Sequence, residues 1–207
     1  MSDDPSSGGG QVRRGRPPGT SARELELVAL RLFSEQGFEQ TTVDEIATGA
    51  GVSRRTFFRY FDSKAEVLWS RFDTEVSTIR ALLNDVPEDL SVMAAVQRVV
   101  IAANYYHAED VPELRVRMNL ISSVPALAAS AAIHYDAWER EINDFVARRI
   151  NQSPDSLYPL AVGRATLATC RAAYEQWAVR ADADPTVYLE AALRALATGF
   201  KDDVLCP

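Results

Sequence analysis

Residues 50 to 64, Ala-Gly-Val-Ser-Arg-Arg-Thr-Phe-Phe-Arg-Tyr-Phe-Asp-Ser-Lys, hold three arginines, one lysine and four aromatic residues. An arginine fork matches paired acceptors such as guanine O6 and N7, or two oxygens of a phosphate. If the segment from Ser53 to about Tyr60 is helical, a period of 3.6 divides it into two faces. Phe57 and Phe61, with Val52 before them, share the face that packs inward. Arg54, Arg55, Phe58 and Arg59 share the other, and so short a helix cannot satisfy those cations inside the protein. The N-terminal end of such a helix is the end a helix-turn-helix offers to base edges, and Ser53, Arg54 and Arg55 occupy it. Thr42 and Lys64 lie near helix N-termini, where a hydroxyl, free amides and an ammonium can hold phosphate; the Tyr60 hydroxyl can do the same. The competing reading is a solvated charged face over ordinary aromatic core. The coincidence of turn glycine, caps and cations weighs against it.

The elements that must position these residues are helical. Ser21-Ala-Arg-Glu24 is a capping box, and Leu25, Val28, Ala29, Leu32 and Phe33 follow at helical spacing, which predicts a helix over 22–36 closed by Gly37. Thr42-Val-Asp-Glu45 opens a second, short helix that ends at Gly51, and Ser53 caps the third. Ser63-Lys-Ala-Glu66 is a further capping box, expected to start a long helix through Leu68, Phe72, Val76, Ile79 and Leu83. After a loop over 84–91, helices are expected at about 91–107, 110–120, 125–150, 157–181 and 185–202, separated by prolines. The expected fold is all-α: a basic disordered arm (1–20), a three-helix helix-turn-helix domain (21–65), and a larger helical ligand-binding and dimerisation domain (66–207).

Composition narrows the function. The 207 residues carry a net charge of −7, which argues against indiscriminate nucleic-acid binding. Between Gln11 and Lys64, however, basic residues outnumber acidic ones by nine to seven. The first residues lack the apolar run of a signal peptide, and no stretch is long enough to span a bilayer, so a cytoplasmic protein without membrane contact is expected. Cys170 falls in an apolar helical pattern and reads as a buried thiol; with Cys206 it makes no disulfide framework. Two histidines, His107 and His134, supply neither a metal pattern nor a di-iron motif, and no phosphate-binding glycine loop is present. The expectation is therefore a protein that is not an enzyme, with no cofactor and no metal. A helical adaptor that binds protein through the same basic face is the alternative, and a helical-bundle enzyme the more distant one.

Residues 32–68, LFSEQGFEQTTVDEIATGAGVSRRTFFRYFDSKAEVL, resemble the DNA-binding domain of the TetR family of transcriptional regulators. The likeness lies in the Gly-Phe after the first helix, the Thr-Thr-Val-x-x-Ile-Ala entry, the Gly-Val-Ser turn and the Tyr-Phe-x-Ser-Lys exit. It implies a homodimer on a palindromic operator, usually a repressor released by a small molecule. It puts Thr42, Tyr60 and Lys64 on phosphate-contacting positions, and Ser53, Arg54, Arg55 and Arg59 on base-reading and groove-lining ones. Arg55 departs from the glycine of many members, and Phe58 from a frequent tyrosine, which replaces a phosphate-bonding hydroxyl with an apolar contact. The wording SRRTFFRYF, with this body, also resembles an acyl-CoA-responsive subgroup that includes regulators of mycofactocin gene clusters.

Two readings stand for Arg13, Arg14 and Arg16: arm residues that enter an adjacent minor groove, or a tail with incidental charge. In the body, Ala161, Ala165, Ala168, Thr169, Ala172 and Ala173, with Leu189, Leu193, Leu196 and Phe200, are the candidate dimer face. The effector-pocket candidates are Tyr106, His107, Arg117, Met118, Ile121, Trp138, Tyr174 and Trp177, with Tyr105 and His134 beside them. Aromatic residues at helical spacing are more often core than ligand contact. Arg117 stands out as a cation beside apolar surface, suited to an anionic, greasy ligand such as an acyl-CoA.

Overall fold

The computed structural model describes residues 21–106, 109–180 and 184–199. Arg13, Arg14, Arg16, His107, Phe200 and Cys206 lie outside them. The described residues form α1 (Ala22–Gln36), α2 (Val43–Gly49), α3 (Arg54–Phe57), a 3-10 turn (Glu66–Trp69), α4 (Phe72–Asn84), α5 (Val92–Ala103), α6 (Val111–Ser123), α7 (Pro125–Ile150), α8 (Leu157–Arg180) and α9 (Pro185–Thr198). No single helix among them is long and apolar enough to cross a membrane.

The capping boxes at Ser21 and Thr42 form reciprocally, each hydroxyl accepting the N3 amide while the N3 glutamate accepts the cap amide. Gly51, at φ 66°, makes the tight turn between α2 and α3 in a region where a side chain is strained. The third helix is shorter than its pattern predicts, a single turn capped by Ser53, with Phe58 to Tyr60 continuing as turn.

The long helix expected from Ser63 is broken. The Glu66 amide reaches Ser63 Oγ at 3.4 Å, but the chain then forms a 3-10 turn before α4 begins at Phe72. Val67, Leu68 and Trp69 are all buried. Three consecutive side chains point in widely separated directions in either winding, and all three are buried because side chains of α1, α6 and α7 pack around the turn.

Two apolar clusters organise the molecule. One gathers Leu25, Ala29, Phe33, Ile46, Phe57 and Phe61 from the first three helices with Val67, Leu68 and Trp69, and extends to Ile121, Leu127 and Ala131 of α6 and α7. The other fills the body with side chains of α4, α5, α7, α8 and α9. There α8 packs along both α7 and α9, and α4 along α5 and α7. Leu189 and Leu193, expected on a dimer face, are fully buried in this cluster, because α9 turns its leucine stripe toward the chain's own core. The outward side of α8 does carry small residues: Ala161, Ala168 and Ala172 are exposed, and Ala165 and Thr169 partly so. Cys170 is buried as expected, and burial pushes its thiol pKa up.

Candidate functional site

Two sites are built from these elements. The first is the cationic face around α3. Phe57 is fully buried, with the rings of Phe61 at 5.6 Å and Phe58 at 5.4 Å, the latter edge-on. Phe58 itself is outward and 43% exposed, and the Arg54 guanidinium lies 5.3 Å from its ring centre. Arg54 Nη1 also donates to Asp44 Oδ2 at 2.8 Å, which ties the start of α3 to α2. Arg59 covers the Tyr60 ring at 4.9 Å and donates to its hydroxyl at 3.1 Å. Arg55 is exposed and has no hydrogen bond or ion pair among the described residues. Ser53, the cap of α3, accepts the Thr56 amide at 3.1 Å.

Each of the three candidate phosphate groups already has a partner within the protein, Tyr60 through Arg59. The Thr42 hydroxyl donates to Glu45 Oε2 at 2.8 Å, and the Thr42 amide and hydroxyl together hold the Glu45 carboxyl below its ordinary pKa. Lys64 is not a free ammonium near a helix start. Its Nζ donates to the carbonyls of Phe38 at 2.6 Å, Thr41 at 2.9 Å and Glu39 at 3.2 Å, and lies 4.4 Å from the Phe38 ring centre. An ammonium has three donors, and here all three fasten the exit of the head to the α1–α2 turn.

The second site is a cavity between α4, α6, α7 and α8 and the 3-10 turn, partly open to solvent. Tyr106, Arg117, Met118, Ile121, Trp138 and Tyr174 line it. Trp177 does not. It is fully buried in a neighbouring cluster with Leu114 and Ala178. His134 stacks on Trp69 at 4.5 Å, with Nε2 3.5 Å from Glu66, and Tyr105 is 74% exposed.

Arg117 plays a different part from the one its sequence context suggests. It is only 5% exposed, pairs with Glu26 of α1, and donates to the carbonyls of Leu68 and Val67 in the 3-10 turn. A cation so committed is the joint between the cavity wall and the head rather than a free partner for an anionic ligand. Burial lowers the Arg117 pKa, and Glu26 opposes that shift. Arg23 extends the joint, reaching Glu26 at 3.3 Å, Asp110 at 3.5 Å and also Glu113.

Sequence reasoning missed Glu75 and Asn104, both of which line the cavity. Burial pushes the Glu75 pKa up to about 7, against hydrogen bonds from Trp138, Asn104 and Tyr106. Tyr174 donates to Asn104 Oδ1, and both tyrosine hydroxyls, Tyr106 and Tyr174, have raised pKa values because of burial. The signal that would have found Glu75 was present: it stands three residues after Phe72 and four before Ile79, within the apolar stripe of α4.

A head whose short helix carries outward arginines behind a glycine turn, joined through a buried ion pair to a cavity in a helical body, has the build of a ligand-responsive DNA-binding regulator. Residues 27–69 match the model for bacterial regulatory proteins of the tetR family, and residues 90–201 match the MftR C-terminal domain. The chain belongs to the TetR family of transcriptional regulators. It is 32% identical over 190 residues to the mycofactocin biosynthesis transcriptional regulator MftR of Mycobacterium tuberculosis, covering 92% of this chain and 96% of that one. Among solved structures, Thermus thermophilus FadR in complex with lauroyl-CoA superposes with a TM-score of 0.55 at 22% identity, over 87% of this chain and 95% of that one. The SmeT–triclosan complex superposes with a TM-score of 0.64 at 18% identity, over 90% and 94%.

Proposed function

We propose that the chain acts in the cytoplasm as a homodimeric repressor, bound to a palindromic operator and released when an apolar-bodied small molecule fills the cavity. In this reading residues 21–65 bind DNA and 66–207 hold the cavity and the dimer face. Arg54, Arg55, Phe58 and Arg59 line the major groove, with Ser53 at the base-edge end of α3. Thr42 and Tyr60 meet phosphate, Lys64 does so by giving up one of its carbonyl partners, and Arg13, Arg14 and Arg16 reach the minor groove. The exposed alanine side of α8 meets its counterpart in the second subunit. Acyl-CoA compounds are the first effectors to test, since the FadR structure carries lauroyl-CoA and the C-terminal match is to MftR.

The observation that carries the reading is the Arg117–Glu26 pair. A ligand pressing on the cavity wall at Arg117 acts on a side chain whose other end holds α1 of the head. Release requires the ligand to favour one of two head–body arrangements, and a buried ion pair at the joint supplies a contact that differs between them.

Footprinting on the DNA flanking the protein's own gene, with and without acyl-CoAs and hydrophobic compounds, tests the proposal. A protected palindrome that is lost with a compound supports it. The absence of any protected site overturns it. Binding that ignores salt, where phosphate contacts predict a slope of about −0.9 per phosphate, favours the protein-binding alternative.

A further inference from the structure

The charged side chains lining the cavity are Arg71, Glu75, Glu113, Arg117, Arg171 and Glu175. Five of them are paired: Arg71 with Asp110 at 3.2 Å, Glu113 with Arg23, Arg117 with Glu26, and Arg171 with Glu175 at 3.9 Å. Glu75 has no ion-pair partner among the described residues; its neighbours are the hydrogen-bonding side chains of Trp138, Asn104 and Tyr106. The orientation of this group is fixed. Asn104 Nδ2 donates to the Val100 carbonyl at 2.8 Å, and its oxygen accepts from Tyr174, so the amide cannot turn away.

An ionised carboxylate accepts about four hydrogen bonds, so a carboxyl set among these side chains keeps acceptor capacity for a bound group. Above about pH 7, where this carboxyl is ionised, what the cavity presents here is acceptor capacity and negative charge. A carboxylate or phosphate brought here would set two anions together away from water, and a bare methyl group would desolvate the carboxyl without bonding it. We propose that Glu75 is the specificity-determining anchor of the cavity, and that the effector it selects carries a hydrogen-bond donor, an amine or a hydroxyl, on an apolar body. The proposal rests on the effector-binding reading above and narrows it. The rings of Trp69, Phe72, Tyr135 and Trp138 in the same lining supply apolar area for an alkyl body.

Dodecylamine, dodecanol and dodecanoate share one chain and differ in head group. Their binding to the full-length protein is read at about pH 8, where Glu75 is ionised, by the fluorescence of the cavity tryptophans Trp69 and Trp138, without any operator, while circular dichroism confirms that the fold persists. The expected result is that the amine, the alcohol or both bind at least about tenfold more tightly than dodecanoate. Glu75→Gln keeps the size and the acceptor and removes the charge, so it weakens the amine about tenfold and leaves the alcohol nearly unchanged. Glu75→Leu removes the preference for either donor. A response to the amine alone assigns the selected donor as cationic, and a response to the alcohol alone assigns it as neutral. Dodecanoate binding as tightly as both donors, no binding of either donor, or a ranking unchanged in both variants overturns the proposal. Lauroyl-CoA releasing operator DNA alongside any of those failures leaves the regulator reading standing, whereas a missing footprint strikes that reading whatever the ranking.

Discussion

Replacing Arg117 by methionine keeps an unbranched side chain in the α6 stripe and deletes the charge. It leaves Glu26, whose side chain is 4% exposed, in the interior without its main partner, and strips the Leu68 and Val67 carbonyls of their donor. Breaking a buried pair by removing one member costs about 3–5 kcal/mol, because the remaining charge stays desolvated. Arg23 lies 3.3 Å from Glu26 and takes up part of that charge, which places the loss at the lower end, about 3 kcal/mol. For a chain of this size that lowers the melting temperature by roughly 6–12 °C.

The assay is thermal unfolding followed by circular dichroism at fixed protein concentration, since dimerisation makes Tm concentration-dependent. The double variant Glu26→Leu/Arg117→Met removes both charges and recovers part of the loss, with a coupling of roughly 0.5–3 kcal/mol. If Arg117→Met melts within about 2 °C of the parent, or the double variant loses the full sum of the single losses, the joint is not holding head to body as argued.

The remaining predictions concern separate links. In the unfolded chain the Glu75 carboxyl releases its proton near 4.5, and in the folded chain only near 7. The folded state therefore holds the extra proton between those values, and this group's contribution, complete below about pH 4.5, is lost as pH rises toward 7, by about 3 kcal/mol. The facing Tyr106, Tyr174 and Cys170 are pushed upward and stay protonated in that window, so the stability difference between the parent and Glu75→Gln, measured from pH 4.5 to 7, isolates it. Thr42→Ala removes the hydroxyl half of a capping box, leaving the bond from the residue 42 amide to Glu45, and is expected to lower stability by about 1 kcal/mol in denaturant titration. Asp44→Ala releases Arg54 from an exposed pair, so stability changes by less than about 1 kcal/mol while operator affinity in a gel-shift titration rises. A Cβ at Gly163 would lie 2.0 Å from the Asn143 side-chain amide and 3.3 Å from the Glu139 carbonyl, so Gly163→Ala forces α7 and α8 apart and costs about 1–3 kcal/mol in the same titration.

Local chemistry made the head legible in the sequence. The Ser21 and Thr42 boxes, the turn glycine and the inward Phe57 are each decided within a few residues, and the structure carries them as written. The 3-10 turn was not legible from its capping box, because the residues that bury Val67, Leu68 and Trp69 stand far along the chain in α6 and α7. The same distinction explains why the ion-pair partner of Arg117 was not legible. That partner stands 91 positions away in the sequence, so no window around Leu-Arg-Val-Arg-Met could reveal it. Yet a trace of each long-range polar contact lay in the pattern. Glu26 stands in the α1 stripe with Ala29, Leu30 and Phe33, Glu75 in that of α4, Asn104 four residues after Val100, and Arg117 between Leu114 and Ile121. A polar residue on an apolar stripe must be buried with a partner or face a cavity, because desolvating it alone costs more than a helix turn returns. Two of these four resolve as one ion pair and two as one hydrogen-bonded cluster, so a search for polar residues inside apolar stripes recovers both the joint and the cavity's polar end.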